Sequence, residues 1–274
     1  MQGKTVVITG ATSGIGEVAA IRLSEKGARI VLVARDKARA DATLNKLSGS
    51  EHTVHFADLS RISEMKRLAN ELAAEPQIDV LMNNAGALFN MRQVTEDGLE
   101  KTFATNHMSY FVVTNLLLPK LKPGARIVST ASDAHKGAKL NFDDLQSSKG
   151  YSGFAVYGKS KLANILFNRE LARRIDGTGV TANCLHPGFV ATRFGDQSGG
   201  IVSIAVRVAK PIGAISPEKG AQTMIYLASS PDVANVSGKY FYKCEVATPT
   251  KEAQDDAAAR RLWEESAKIS GVGL

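Results

Sequence analysis

Tyr157 and Lys161 stand four residues apart in "YGKSKLAN", inside an apolar segment with helical periodicity. Phenol is a poor acid or base near neutrality, with an ordinary pKa of about 10. A cation a few ångströms away favours the phenolate, and an i, i+4 pair on one helix face supplies such a cation at fixed distance. The pair could therefore move a proton to or from a substrate oxygen. Spacing alone describes a helix with a lysine stem lying along its apolar face just as well.

A second group sits near the amino terminus. "TGATSGIG", Thr9 to Gly16, follows the strand-like run "KTVVIT" (4–9) and opens into a helix-period segment. Gly10, Gly14 and Gly16 permit a tight turn and the close approach of a pyrophosphate, met by exposed amides and the positive end of the helix. A glycine-rich turn is weak evidence by itself. Between the first strand and first helix of an alternating pattern it reads as a dinucleotide loop.

These groups need a scaffold, and the chain describes one. Strand-like runs at 4–9, 28–33, 52–56, 78–84, 125–130, 179–185 and 238–242 alternate with helix-period segments near 14–26, 37–47, 61–74, 98–121, 155–175 and 217–229. A tail helix is expected near 251–268, and a helix with one apolar face over 201–215. Alternation of this kind predicts an α/β fold: a doubly wound, seven-stranded parallel sheet of Rossmann type with helices on both faces, as a single domain over 1–274. Excursions at 132–153 and 188–200 follow strands and are expected to wall a pocket at the carboxyl edge of the sheet.

Composition narrows the classes. Hydrophobic residues make up 44% and charged residues 22% of 274, as in a folded globular chain. The net charge of +7 comes from 34 Lys and Arg against 27 Asp and Glu. No dense basic run with interleaved aromatics accompanies it, so nucleic acid is not an expected partner. Two cysteines, Cys184 and Cys244, make no disulfide framework, and the histidines lack metal-ligand spacing, so no metal is expected. The first residues do not read as a signal peptide, and no run reaches the roughly 20 apolar residues of a membrane span. The expected location is cytoplasmic.

The spacing G-x-x-x-G-x-G resembles that of the short-chain dehydrogenase/reductase family. The resemblance extends along almost the whole chain: "NNAG" at 83–86, Tyr157 and Lys161 as Y-x-x-x-K, and "HPG" at 186–188 occur in the family's order. It implies hydride transfer between a nicotinamide cofactor and a carbonyl or alcohol. It implies catalytic roles for Tyr157, for Lys161, which lowers the tyrosine pKa and grips the nicotinamide ribose, for Ser132, which orients the substrate, and for Asn106, which holds a water on a proton path. Ser129 and Thr130 are neighbours from which strand alternation separates Ser132. The cofactor contacts implied are Gly10, Thr12, Ser13, Gly14, Ile15, Gly16, Arg35, Asp58, Leu59, Asn84, Ala85, Gly86, Tyr157, Lys161, Pro187, Gly188, Val190 and Thr192. Asn83 is expected to be structural, and His107, His135 and His186 are given no catalytic role.

At the end of the second strand, "VLVARD" has Ala34 where an NAD enzyme carries an acid, followed by Arg35. A 2′-phosphate gains a charge-assisted contact from Arg35, so NADP(H) is preferred and NAD(H) remains possible; Asp36 is expected to cap the next helix. "LNFDDL" at 140–145, "YGKSKLANILF" and the tail from "GKYFYKCEVATP" look like the retinol-dehydrogenase-like branch and its WW-domain-containing relatives. Neither an N-terminal membrane anchor nor a WW domain is read here. An apolar lid over 189–215, with Phe189, Phe194, Ile201 and Ile204, suits a small hydrophobic or aromatic ketone, aldehyde or secondary alcohol. Rival expectations are a reductase of activated C=C bonds, a sugar-nucleotide epimerase, disfavoured by the short chain after Gly188, and a non-catalytic NADPH-binding regulator. A homodimer or homotetramer through the segments near 98–121 and 155–175 is a further expectation.

Overall fold

In the computed structural model, residues 1–190 and 215–273 are described. The expected helix over 201–215, the lid residues Phe194, Ile201 and Ile204, and Thr192 lie outside them, apart from Ile215.

The strands are β1 (Thr5–Thr9), β2 (Arg29–Ala34), β3 (Thr53–Phe56), β4 (Val80–Asn83), β5 (Arg126–Thr130), β6 (Thr181–Leu185), β7 (Tyr240–Tyr242) and β8 (Glu245–Ala247). They form one sheet in the order β3-β2-β1-β4-β5-β6-β7-β8. The first seven are parallel, as the alternating pattern requires. The expected count of seven is corrected by β8, which pairs antiparallel with β7. Lys243 and Cys244 turn the chain between them with φ of 51° and 66°. Two consecutive positive φ values make a tight hairpin turn that normally uses Asn or Gly, so the sequence carries no turn signal there.

The helices are α1 (Gly14–Glu25), α2 (Lys37–Leu44), α3 (Ile62–Leu72), α5 (Gly153–Arg174), α6 (Pro217–Ser229) and α7 (Asp256–Ser270). Between α3 and α5 runs a composite helix, α4: Lys101–Phe103, a π-helical turn at Ala104–Met108, and Ser109–Leu117. Strand side chains alternate between two fully buried layers. Val7, Leu81, Ile127 and Ala182 face Phe111, Phe167 and Trp263 of α4, α5 and α7. Val6, Ile8, Leu32, Met82 and Val128 face Leu23 and Met224 of α1 and α6. Strand order reverses between β1 and β4, which leaves a crevice where the loops after them diverge. The glycine turn and the residues 84–90 flank it.

Candidate active site

The glycine turn is locked from below by β4. Thr9 Oγ1 accepts from the amides of Asn84 and Ala85 at 2.9 and 3.0 Å, and Asn84 Nδ2 donates to the carbonyls of Thr9 and Gly10. A Cβ on Gly10, at φ 68°, would lie 2.8 Å from Ala85 Cα; one on Gly16 would lie 2.5 Å from both Asn84 Nδ2 and the Gly10 carbonyl. Backbone meets backbone here, and only glycine fits. The side chain of Ser13 stands at the start of α1 without capping it, which leaves the first-turn amides to a ligand. Thr12, Ser13, Gly14 and Ile15 line this partly exposed turn. Such a cradle at a 12-residue helix N-terminus fits a dinucleotide phosphate.

Arg35 is exposed just beyond β2, while the Asp36 carboxylate accepts from Arg39 N at 2.9 Å and caps α2. Asp58 Oδ1 accepts from Ser60 N and Ser60 Oγ at 3.0 and 2.8 Å, and Leu59 beside it is buried. At the far end of the crevice, Pro187, Gly188 and Val190 are half-buried; Gly188 N donates to His186 Nδ1, and Val190 bridges to Ile215. Phe189 is 54% exposed.

The side chains expected from the sequence to move a proton converge beside this crevice. Lys161 is 2% exposed, and its Nζ donates to the Thr130 carbonyl at 3.0 Å and lies 5.5 Å from the Tyr157 ring centroid. Ser132 follows β5 in extended backbone; its Oγ accepts from Ala134 N at 3.2 Å, and the same side chain hydrogen-bonds the Tyr157 phenol. Ser129 is fully buried in the strand and Thr130 Oγ1 donates to Asn84 Oδ1, whereas Ser132 lies beyond the end of β5 at the start of the next turn. Asn106 sits in the π turn of α4. Its Oδ1 accepts from Ala87 N at 2.8 Å, and its Nδ2 donates to Ala87 O and Ser160 Oγ, both at 2.9 Å. Ser160 Oγ in turn donates to the Tyr157 carbonyl. A Cβ on Gly86 would stand 3.4 Å from both Asn106 Oδ1 and Lys161 Nζ, so three segments distant in sequence meet at one point. Asn83 donates to Thr114 Oγ1 of α4 at 2.8 Å, tying the sheet to a helix.

Burial sets the electrostatics of the pair in the protein itself. Burial pushes the Tyr157 phenol upward, and the Ser132 hydrogen bond opposes this. Burial also pulls the Lys161 ammonium down to about 7. Desolvation acts on both partners, and spacing does not reveal it. Tyr157 is thus held as a protonated donor beside Ser132. Three further groups of the site were missed by sequence reading: Thr130 O, Ser160 and His135, whose Nδ1 donates to the Ser132 carbonyl at 2.7 Å. Only the spacing of one tight turn between Ser132 and His135 could have pointed to the last.

Comparison with known proteins bears on the family and the fold. Residues 4–199 match the family model described as short chain dehydrogenase. The chain is 42% identical to retinol dehydrogenase 14 of Mus musculus over 99% of this chain and 87% of that one. It is 39% identical to retinol dehydrogenase 13 of Homo sapiens, over 98% and 85%. Among solved structures, an uncharacterized protein from Mycobacterium Paratuberculosis superposes with TM-score 0.82 at 31% identity, covering 99% of this chain and 94% of that one. A short chain dehydrogenase from Burkholderia cenocepacia J2315 in complex with NADP gives 0.71 at 26%, covering 88% and 96%. The chain therefore belongs to the short chain dehydrogenase family of nicotinamide-dependent oxidoreductases, in its retinol-dehydrogenase-like branch.

Proposed function

We propose that the protein is an NADP(H)-dependent oxidoreductase that interconverts a ketone or aldehyde and an alcohol on a small hydrophobic substrate. The observation that carries this reading is the hydrogen bond of Ser132 to a buried Tyr157, with Lys161 Nζ and Asn106 meeting beside them at Gly86. Gly10, Ser13 and Gly16 would hold the pyrophosphate, Arg35 the 2′-phosphate, and Lys161 the nicotinamide ribose. Commitment of Asp36 to its helix cap favours the phosphate over a bare 2′-hydroxyl. When bound, the cofactor supplies or accepts the hydride.

Tyr157 gives its phenolic proton to the carbonyl oxygen in reduction; burial keeps the phenol protonated until that oxygen takes on negative charge. The Ser132 hydroxyl orients that oxygen and stabilises its growing negative charge. Lys161, neutralised easily at a pKa of about 7, passes a proton to the phenolate, and Asn106 anchors the path that resupplies it. Exposed Phe189, which follows Gly188 at the end of the crevice, favours an apolar substrate. Conversion of Tyr157→Phe tests the assignment. Turnover with a panel of ketones and aldehydes should fall at least about 10³-fold with NADPH affinity unchanged. A variant that turns over at the wild-type rate would exclude Tyr157 as the acid.

A further inference from the structure

Two buried histidines fasten the C-terminal segment to the turn that carries Ser132 and to the π turn of α4 that carries Asn106. His107, next to Asn106, is fully buried, and its Nε2 meets Ser266 Oγ of α7 at 2.8 Å. His135, 1% exposed, closes the turn that Ser132 begins. Its Nδ1 lies 2.7 Å from the Ser132 carbonyl oxygen and its Nε2 lies 3.4 Å from Thr250 N. Since a carbonyl oxygen can only accept and an amide N–H can only donate, both contacts hold together only in the neutral ring protonated on Nδ1. The Ser132 carbonyl takes both its hydrogen bonds from this one residue, the other from His135 N at 3.2 Å. Thr250 lies where the chain passes from β8 toward α7.

We propose that His135 is a positioning residue, which holds the Ser132 backbone through its Nδ1–H and takes its own orientation from Thr250, so that the C-terminal segment aims the serine hydroxyl at Tyr157. This rests on the reading of Ser132 and Tyr157 as the reacting pair. The ring is wedged against Tyr240 of β7, centroids 5.4 Å apart at 70°, which leaves it little freedom to turn. Asp133 and Lys136 of its own turn, Glu252 of the C-terminal segment and His186 after β6 are the charged or titratable groups that also face it. Burial outweighs the two carboxylates and keeps the ring neutral to a lower pH than an ordinary histidine. Protonation would turn Nε2 into a second donor facing the Thr250 N–H. Acid therefore releases Thr250 first and leaves the Ser132 contact in place.

Three variants separate the two contacts. His135→Asn puts an amide donor near Nδ1, His135→Gln puts an acceptor near Nε2, and His135→Phe removes both while keeping a ring against Tyr240. Hydrogen exchange on peptides covering 130–136 and 248–254 is read beside kcat, KM and NADPH affinity. In His135→Phe both peptides should exchange faster and kcat should fall about 10- to 100-fold, as a displaced orienting group costs, with NADPH affinity within twofold of wild type. His135→Asn should restore kcat to within about fivefold while 248–254 still exchanges faster; His135→Gln should protect 248–254 without restoring kcat. Equal kcat in all variants and wild type overturns the proposal, as does a kcat that falls only in step with the folded fraction. If the wild type turns over no carbonyl of the panel, the reading of the site fails, and exchange alone then decides: unchanged protection of 130–136 in His135→Phe overturns the proposal. Should that variant not fold, a nitrogen-15 histidine spectrum of the wild type with the His135 proton on Nε2 overturns it as well.

Discussion

The Lys161 ammonium donates to the Thr130 carbonyl at 3.0 Å, which fastens α5 to the end of β5 two residues before Ser132. The carbonyl also receives Asn164 Nδ2 at 3.4 Å, so it keeps a partner when the lysine is removed. The lysine itself is buried, and that has a thermodynamic cost. Its folded pKa of about 7 lies below the ordinary 10.5, so between those values the unfolded chain binds more protons and stability rises with pH. Below about pH 7 the cost of the buried charge is fully present. Lys161→Met should therefore lose activity yet gain about 1–2 kcal/mol at pH 6, roughly 2–8 °C in Tm. The gain should shrink by pH 9, and melting curves at the two pH values check it.

Ser132 opposes the upward pull of burial on the Tyr157 phenol. Ser132→Ala should lower kcat about 10²- to 10³-fold. Because the phenol then rises further, the pH needed for alcohol oxidation should move upward. A kcat–pH profile in the oxidative direction tests the sign, and a downward move would count against the contact.

Arg35 follows β2, while Asp36 is occupied by its helix cap. Loss of a charge-assisted contact is worth about 1.5–3 kcal/mol, so Arg35→Ala should weaken NADPH binding about 10- to 100-fold and leave NADH binding nearly unchanged. Fluorescence titration with both cofactors measures the split. Equal losses for the two would remove Arg35 from the 2′-phosphate.

Gly16 has no room for a Cβ, with Asn84 Nδ2 and the Gly10 carbonyl both 2.5 Å from where it would stand. Asn84 is itself fixed by two backbone carbonyls, so neither neighbour can yield cheaply. Gly16→Ala should cost about 2–3 kcal/mol in urea unfolding without any ligand, by overpacking. Wild-type stability in that variant would mean that the turn is looser than these contacts require.

Much of the scaffold and site was legible from local pattern. Short β-branched runs alternating with helix-period segments gave seven parallel strands, and glycines at 10, 14 and 16 gave the tight turn between β1 and α1. These signals survive because period and turn chemistry are written in neighbouring residues. The hairpin to β8 was not legible, since Lys243 and Cys244 adopt positive φ without the residues that usually announce it. Nor was the partner of Lys161, or the grip of His135 on Ser132 and Thr250, because those contacts join segments whose separation along the chain says nothing of their distance.

The sequence by itself determined which groups could move a proton and which turn could take a phosphate. Tertiary structure alone decided their environment. Burial made Tyr157 a stronger holder of its proton and Lys161 a weaker one, because desolvation depends on what packs around a group and not on its neighbours in the chain.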